Sequence, residues 1–176
     1  MYKIYAPLWI GTSRKLYIAA DYAGMPIEKV AMTFDQNKTP EYLKNPNGKY
    51  PTLETPDGRF LFESNAIIRY IAKYDKSKGL YGADVFEEAL VDQWLDWYAI
   101  ECHPTFHNVI VPYFGGSYNK EEHKAHEQKL RNLLKILNDH LKLRTFIVGH
   151  RITVADIAIY SSLWIAFRFV FDEKYR

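Results

Sequence analysis

Residues 48–72 read GKYPTLETPDGRFLFESNAIIRYIA. Two short runs with strand-forming side chains, residues 52–55 and 59–62, flank Pro56-Asp57-Gly58. Proline presets φ for a turn, aspartate caps it, and glycine takes the left-handed exit, so this stretch predicts a β-hairpin. Directly after it Ala66, Ile67, Tyr70 and Ile71 recur at helical intervals, which predicts a helix over residues 65–74. The unit is strand, strand, helix.

Upstream the pattern is different. Residues 3–6 alternate apolar and polar side chains, as a short strand does. Residues 14–23 place Leu16, Ala19, Ala20 and Ala23 on one helical face, and Gly24 stands where a helix end tolerates a left-handed backbone. Residues 26–32 read as a second strand. Short connections on both sides suit a βαβ unit with parallel strands. The expected order is βαβ followed by ββα, an α+β module with a mixed sheet, over residues 1–75.

Downstream the texture changes. Residues 76–79 are Lys-Ser-Lys-Gly, and residues 76–84 are expected to form a linker. Residues 85–176 then read as an all-helical domain. Helices are expected over residues 86–110, 121–141 and 153–171. Leu130, Leu133, Leu134, Leu137 and Leu141 make one stripe of the second. The third is apolar nearly all round and is expected to run through the middle of the bundle. Its start carries Thr153 with Asp156 three residues on, whose carboxylate can reach back to the Thr153 N–H as in a capping box.

Composition narrows the classes. The chain of 176 residues is 48% hydrophobic and 25% charged, ordinary for a globular protein. Twenty-three basic and 21 acidic residues nearly balance, so no clustered basic face for a nucleic-acid backbone is indicated. Residues 1–80 hold 12 basic and 8 acidic groups, while residues 81–176 hold 11 and 13. The single cysteine, Cys102, excludes an internal disulfide and a Cys-rich zinc site. A membrane span needs about 20 apolar residues, and the apolar run at residues 157–171 is shorter and interrupted by Arg168. A cytoplasmic protein with no membrane partner is expected.

Two places carry chemistry. At Tyr50-Pro51 a cis peptide would hold the main chain of Tyr50 open to a ligand, whereas base rates alone give a trans bond at a strand edge. At Glu63-Ser64 a helix begins. Ser64 reads as its N-cap, the helix start offers N–H groups and a positive dipole end to a carboxylate, and Glu63 can accept from an ammonium group. Together they match an α-amino-acid moiety such as the γ-glutamyl end of glutathione. A plain helix cap beside an exposed acid explains the same residues. His103 and His107 have metal-ligand spacing, but His-Pro-Thr-Phe-His lacks the acid that would act as base, so no metal site is assigned, and a helix kinked at Pro104 with two solvated or hydrogen-bonded histidines is expected there. His123 and His126 read as solvent-facing, Cys102 as a small buried hydrophobe, and Trp94 to Tyr98 as core aromatics.

The Tyr50-Pro51 turn, Glu63-Ser64 before a helix, and Gly149 followed by Thr153-Val154-Ala155-Asp156 together resemble the glutathione transferase plan. That plan joins a thioredoxin-like module to an all-helical one. Within the superfamily, residues 37–58, residues 62–72 (FESNAIIRYIA) and residues 144–176 (RTFIVGHRITVADIAIYSSLWIAFRFVFDEKYR) are similar to the gamma subunits of eukaryotic translation elongation factor 1. The resemblance implies that Gly149, Thr153 and Asp156 are structural caps and that Tyr50, Pro51, Glu63 and Ser64 bind glutathione. No cofactor is required. It implies a scaffold of the elongation factor 1B complex that docks the nucleotide-exchange subunit serving elongation factor 1A. The alternative is a glutathione S-transferase; a homodimer and an aminoacyl-tRNA synthetase are further partners that the resemblance suggests. Transferases hold the thiolate with a hydroxyl or thiol near the end of the first strand. The usual tyrosine and serine positions fall on or near Ala6 and Ile10, leaving Thr12, Ser13 and Tyr5 as substitutes, with Thr12 and Ser13 the catalytic candidates. The helical domain is expected to be C-terminally truncated relative to the family.

Overall fold

Alternation in YKIYA extends Tyr2–Ala6 as strand β1, with Ile4 and Ala6 buried. In this computed structural model, which describes residues 1–39, 42, 45–169 and 171, β1 leads into helix α1 (Gly11–Ala23). Gly24 ends α1 at φ 64°, in the left-handed conformation expected there. Strand β2 (Ile27–Ala31) follows, then β3 (Thr52–Glu54), β4 (Phe60–Phe62) and helix α2 (Ser64–Ala72). The sheet order is β2-β1-β3-β4. β1 runs parallel to β2, and the other two pairings are antiparallel. This is the thioredoxin-like α+β arrangement anticipated above.

The hairpin closes as its chemistry dictates. The Thr55 N–H donates to the Arg59 carbonyl at 2.9 Å, and the Thr55 hydroxyl donates to Asp57 at 2.5 Å. α1 packs on α2, burying Leu16, Ala19 and Ala20 on one and Ile67, Ile68 and Ile71 on the other. Burial of each Leu or Ile contributes about 1.5–3 kcal/mol relative to exposure.

The chain divides into two compact units, Met1–Ala83 and Asp84–Arg176. Residues 76–84 contain a 3₁₀ turn, Lys76–Lys78, capped by Asp75, followed by the buried Leu80 and Tyr81. Lys73 lies 4.2 Å from the centre of the Tyr81 ring.

In the second unit Asp84 caps α3 (Val85–Trp97), accepting from the N–H groups of Phe86 and Glu87. The single helix expected over residues 86–110 is broken. Tyr98–Cys102 forms a π turn, and α4 (His103–Ile110) begins after it with Pro104 in its first turn. The cause is Pro104, which lacks an N–H and whose ring would clash with the carbonyl four residues back; widening the preceding turn removes that conflict. Asn119 caps α5 (Lys120–Leu141), which buries Leu130, Leu133 and Leu137. Helix α6 (Val154–Phe169) buries Val154, Ala155, Ala158 and Ala166. It does not run enclosed on every side, because Tyr160 and Phe167 are exposed beside a groove of about 500 Å³ lined by Leu137, Ile159, Leu163 and Trp164. Residue 170 of the expected third helix, and residues 172–176 after it, lie outside the described residues.

Candidate functional site

Strand register gathers the residues singled out in the first unit. Tyr5 of β1 is opposite Thr52 of β3, and Thr52 is opposite Phe62 of β4. The next residues along each strand are Ala6, Pro51 and Glu63, so the exit of β1, the Tyr50-Pro51 peptide and the Glu63-Ser64 corner share one end of the sheet. Ala31 of β2 pairs with Ala6 and brings Thr33 and Phe34 to the same end. This is the carboxyl end of the parallel pair, where open sheets with such strands present their ligand sites.

The Tyr50-Pro51 bond is cis. Among the described residues neither main-chain group of Tyr50 has a hydrogen-bond partner. The segment before it is held by side chains. Tyr42 and Asn45 both donate to the Lys49 carbonyl, at 2.8 and 2.6 Å, and both bond the Thr52 hydroxyl. Asn37 donates to the Gly48 carbonyl at 2.7 Å. The Tyr50 ring packs against Tyr42 at 4.6 Å with the ring planes tilted by 53°, and its hydroxyl donates to the Thr33 carbonyl. Burial raises the Tyr42 phenol to about 12 and raises that of Tyr50, so both are neutral donors at physiological pH.

At the corner the structure corrects one expectation. Ser64 is the first residue of α2, and the N-cap position belongs to Glu63, whose φ of 66° and ψ of 112° turn the chain abruptly into the helix. A positive φ at a residue with a β-carbon is strained, and such strain concentrates at functional sites. Glu63 makes no capping bond from its side chain, and its carboxylate meets Asn47 at 3.4 Å. The Glu63 side chain therefore leaves the first turn of α2 uncapped from its own position.

Beneath this corner lies a residue whose role sequence reading missed. Lys15 of α1 is 2% exposed, and its Nζ donates to Oδ1 of Asn65 at 2.5 Å. Burial draws its amino group down to about 7, helped by the charge of Arg69 and opposed by that of Glu63. In the periodic pattern of α1 a lysine reads as a solvated position. The signal that was present is its place between Ser13 and Leu16, both buried.

The hydroxyl candidates fall in different surroundings. Ser13 is fully buried and donates to the carbonyls of Pro7 at 2.6 Å and Ile10 at 3.0 Å, stapling the β1 exit to α1. Thr12 is half-buried in the first turn of α1, and its hydroxyl makes no hydrogen bond to another described residue. Tyr5 points elsewhere: its hydroxyl donates to Glu54 at 2.5 Å, and burial and that carboxylate push its phenol up to about 12. Trp9 and Phe34, both exposed, pack edge to face at 5.7 Å beside the site.

In the second unit, Asp156 accepts from the N–H groups of Ile147 at 2.8 Å and Thr153 at 2.9 Å, and from the Thr153 hydroxyl at 3.0 Å. Gly149 sits nearby at φ 63°. His103 bonds the Tyr98 hydroxyl, which also bonds Ser162. Cys102 is buried, and burial pushes its thiol up to about 11. His123 is not solvent-facing: its side chain is 11% exposed, lying between the rings of Tyr113 and Tyr118 with Glu127 at 3.5 Å. Among the described residues no group of His, Cys, Asp and Glu could hold a metal ion, and no helix is long and apolar enough to cross a membrane.

With these features in place, comparison defines the class. Residues 12–73 match the family of glutathione S-transferase N-terminal domains, and residues 102–175 match that of the C-terminal domains. The chain belongs to the glutathione S-transferase superfamily. The glutathione transferase URE2P6 from Phanerochaete chrysosporium, solved with oxidized glutathione, superposes with a TM-score of 0.89 at 25% identity, over 98% of this chain and 82% of that one. Human glutathione transferase theta-2, solved with glutathione, gives 0.87 at 28% identity over 98% and 74%. Within the superfamily the chain is similar to elongation factor 1-gamma 1 of Oryza sativa subsp. japonica, 40% identical over 92% of this chain. It spans 39% of that relative's length.

Proposed function

We propose that this is a binding domain of the elongation factor 1-gamma kind, docking the nucleotide-exchange subunit that serves elongation factor 1A in the cytoplasm. The observation that carries this reading is the start of α1. Counted back from α1, the positions where transferases place a hydroxyl fall on or near Ala6 and Ile10, and Ser13 has its proton committed to main-chain carbonyls. Likeness to elongation factor 1-gamma over 92% of the chain supplies the partner class. Surface complementarity, not bond-making, is then the mechanism. The recombinant chain is expected to co-purify with the exchange subunit at low and at physiological salt; failure at both overturns the reading.

A second reading concerns the corner itself. The main chain of Tyr50, unpaired among the described residues, with Glu63 and Ser64 across the hairpin, favours a retained glutathione site. Tyr50 supplies main-chain bonds, Ser64 and the α2 N-terminus take the γ-glutamyl carboxylate, and Glu63 takes its ammonium group. Thr12, whose hydroxyl is not committed to another described residue, is then the candidate to hold the thiol. Retention on immobilised glutathione, lost in Glu63→Ala and Ser64→Ala, supports this reading. Retention unchanged in both variants, or absent from the parent chain, refutes it.

A further inference from the structure

Lys15 has no part in either reading, yet it is a cationic side chain sealed beneath the one corner of the sheet built to meet a carboxylate. Its Nζ holds Asn65, the second residue of α2, one position beyond Ser64. The charges acting on it come from α2 and its approach: Arg69 from the helix, Glu63 from the residue before it. Glu54 and Glu28 act on Tyr5, and Lys29 lies over the Tyr17 ring at 4.9 Å. Lys15 and the start of α2 therefore form one electrostatic unit, joined by the Asn65 bond and biased by Arg69 and Glu63 in opposite directions.

Building on the glutathione reading of the corner, we propose that Lys15 is its charge-setting positioning residue: it orients the first turn of α2 through Asn65 and takes up a proton when a ligand carboxylate lands at Ser64. The site then selects thiol peptides that carry a γ-glutamyl α-carboxylate, and it holds them more tightly as pH falls. The sign follows from the charges. In the ligand-free corner, burial and Arg69 hold the amino group at about 7, so at neutral pH a large share of the molecules carry it uncharged. A carboxylate placed nearby favours the ammonium form and raises that value; binding must then draw in a proton between the two values. If the ligand raises it by about one unit, affinity is about tenfold higher well below pH 7 than well above pH 8, and uptake peaks near half a proton at about pH 7.5.

The test is calorimetric titration with S-methylglutathione, which has no thiol to ionise, from about pH 6 to about pH 9 in two buffers of different ionisation enthalpy. The comparison is between the parent chain and Lys15→Met, whose side chain has similar length and no charge. Supporting results are a proton uptake by the parent chain at about pH 7–7.5 that exceeds that of Lys15→Met, whose remaining uptake comes from the ligand's own ammonium group, together with a correspondingly weaker pH dependence of affinity in the variant. Arg69→Gln gives a second handle if Lys15→Met does not fold: removing that cation must move the midpoint of the pH dependence upward. Binding by the parent chain without proton uptake overturns the role of Lys15 and leaves the corner standing. That role is equally overturned if uptake is as large in Lys15→Met as in the parent chain, or if the midpoint does not move in Arg69→Gln. No binding at any pH refutes the glutathione reading itself and removes the basis of the inference. A side-chain readout is independent of ligand: by NMR of isotope-labelled lysine, one lysine of the parent chain must titrate near 7, and its absence also overturns the proposal.

Discussion

Replacing Asp156 by alanine removes an acceptor on which three donors converge. The N–H of Ile147 reaches it at 2.8 Å, the N–H of Thr153 at 2.9 Å and the Thr153 hydroxyl at 3.0 Å. Ile147 and Thr153 are both buried, so water does not replace what the carboxylate supplied. A helix-start acceptor is worth about 1 kcal/mol, and one buried N–H left without a partner costs about 1–3 kcal/mol more. The expected loss is about 2–4 kcal/mol, a large share of the ~5–15 kcal/mol that holds a typical domain. Urea unfolding followed by circular dichroism reads this as a fall in midpoint of about 1–2 M at an ordinary m-value. Asn at this position keeps one acceptor oxygen and brings an NH₂ toward donors, so about half the loss is expected. A change below about 0.5 kcal/mol for Asp156→Ala refutes the argument, since that is the range of an ordinary surface substitution.

Gly149→Ala must place its β-carbon 2.9 Å from a Glu87 carboxylate oxygen at a φ of 63°; a loss of about 1–2 kcal/mol is expected by urea unfolding, mostly from the backbone. Ser13→Ala removes both bonds that staple the β1 exit to α1; Tm is expected to fall by an amount equivalent to about 1–2 kcal/mol, while retention on immobilised glutathione is unchanged. Lys15→Met alters the pH dependence of stability. The folded value near 7 lies below the ordinary 10.5, so the unfolded chain binds more protons between these limits and the parent gains stability as pH rises through that window. The variant is expected to lack that rise, whose full extent is on the order of several kcal/mol, as read by urea unfolding across the same range.

Local chemistry made the hairpin and the flanking elements legible. Pro56-Asp57-Gly58 admits few turns, and the spacing of Leu16, Ala19, Ala20 and Ala23 admits one helical face. The position of the corner was legible because strand alternation fixes which residues end side by side. The backbone of Glu63 was not: no residue type announces a positive φ outside glycine, and the helix therefore begins at Ser64 instead of being capped by it. The break between α3 and α4 was announced by Pro104, but its form, a widened turn, depends on packing that periodicity does not encode. Lys15 and His123 fail for a shared reason. Both sit in patterns where a polar side chain reads as solvated, and only tertiary neighbours, Asn65 for one and the Tyr113–Tyr118 pair for the other, enclose them.

The π turn at Tyr98–Cys102 does more than ease the chain past Pro104. It absorbs one residue beyond the regular helical period, and one residue is about 100° of rotation. α3 packs mainly on α6, whereas α4 packs mainly on α5 and less on α6. The surplus residue is thus a phase adjuster, letting a single rod present two differently aimed faces to two different neighbours. Deleting one codon within it would restore an unbroken spiral and at the same stroke swing Phe106 and Val109 out of the interior, so what looks like an irregularity is the part that the architecture of this unit can least do without.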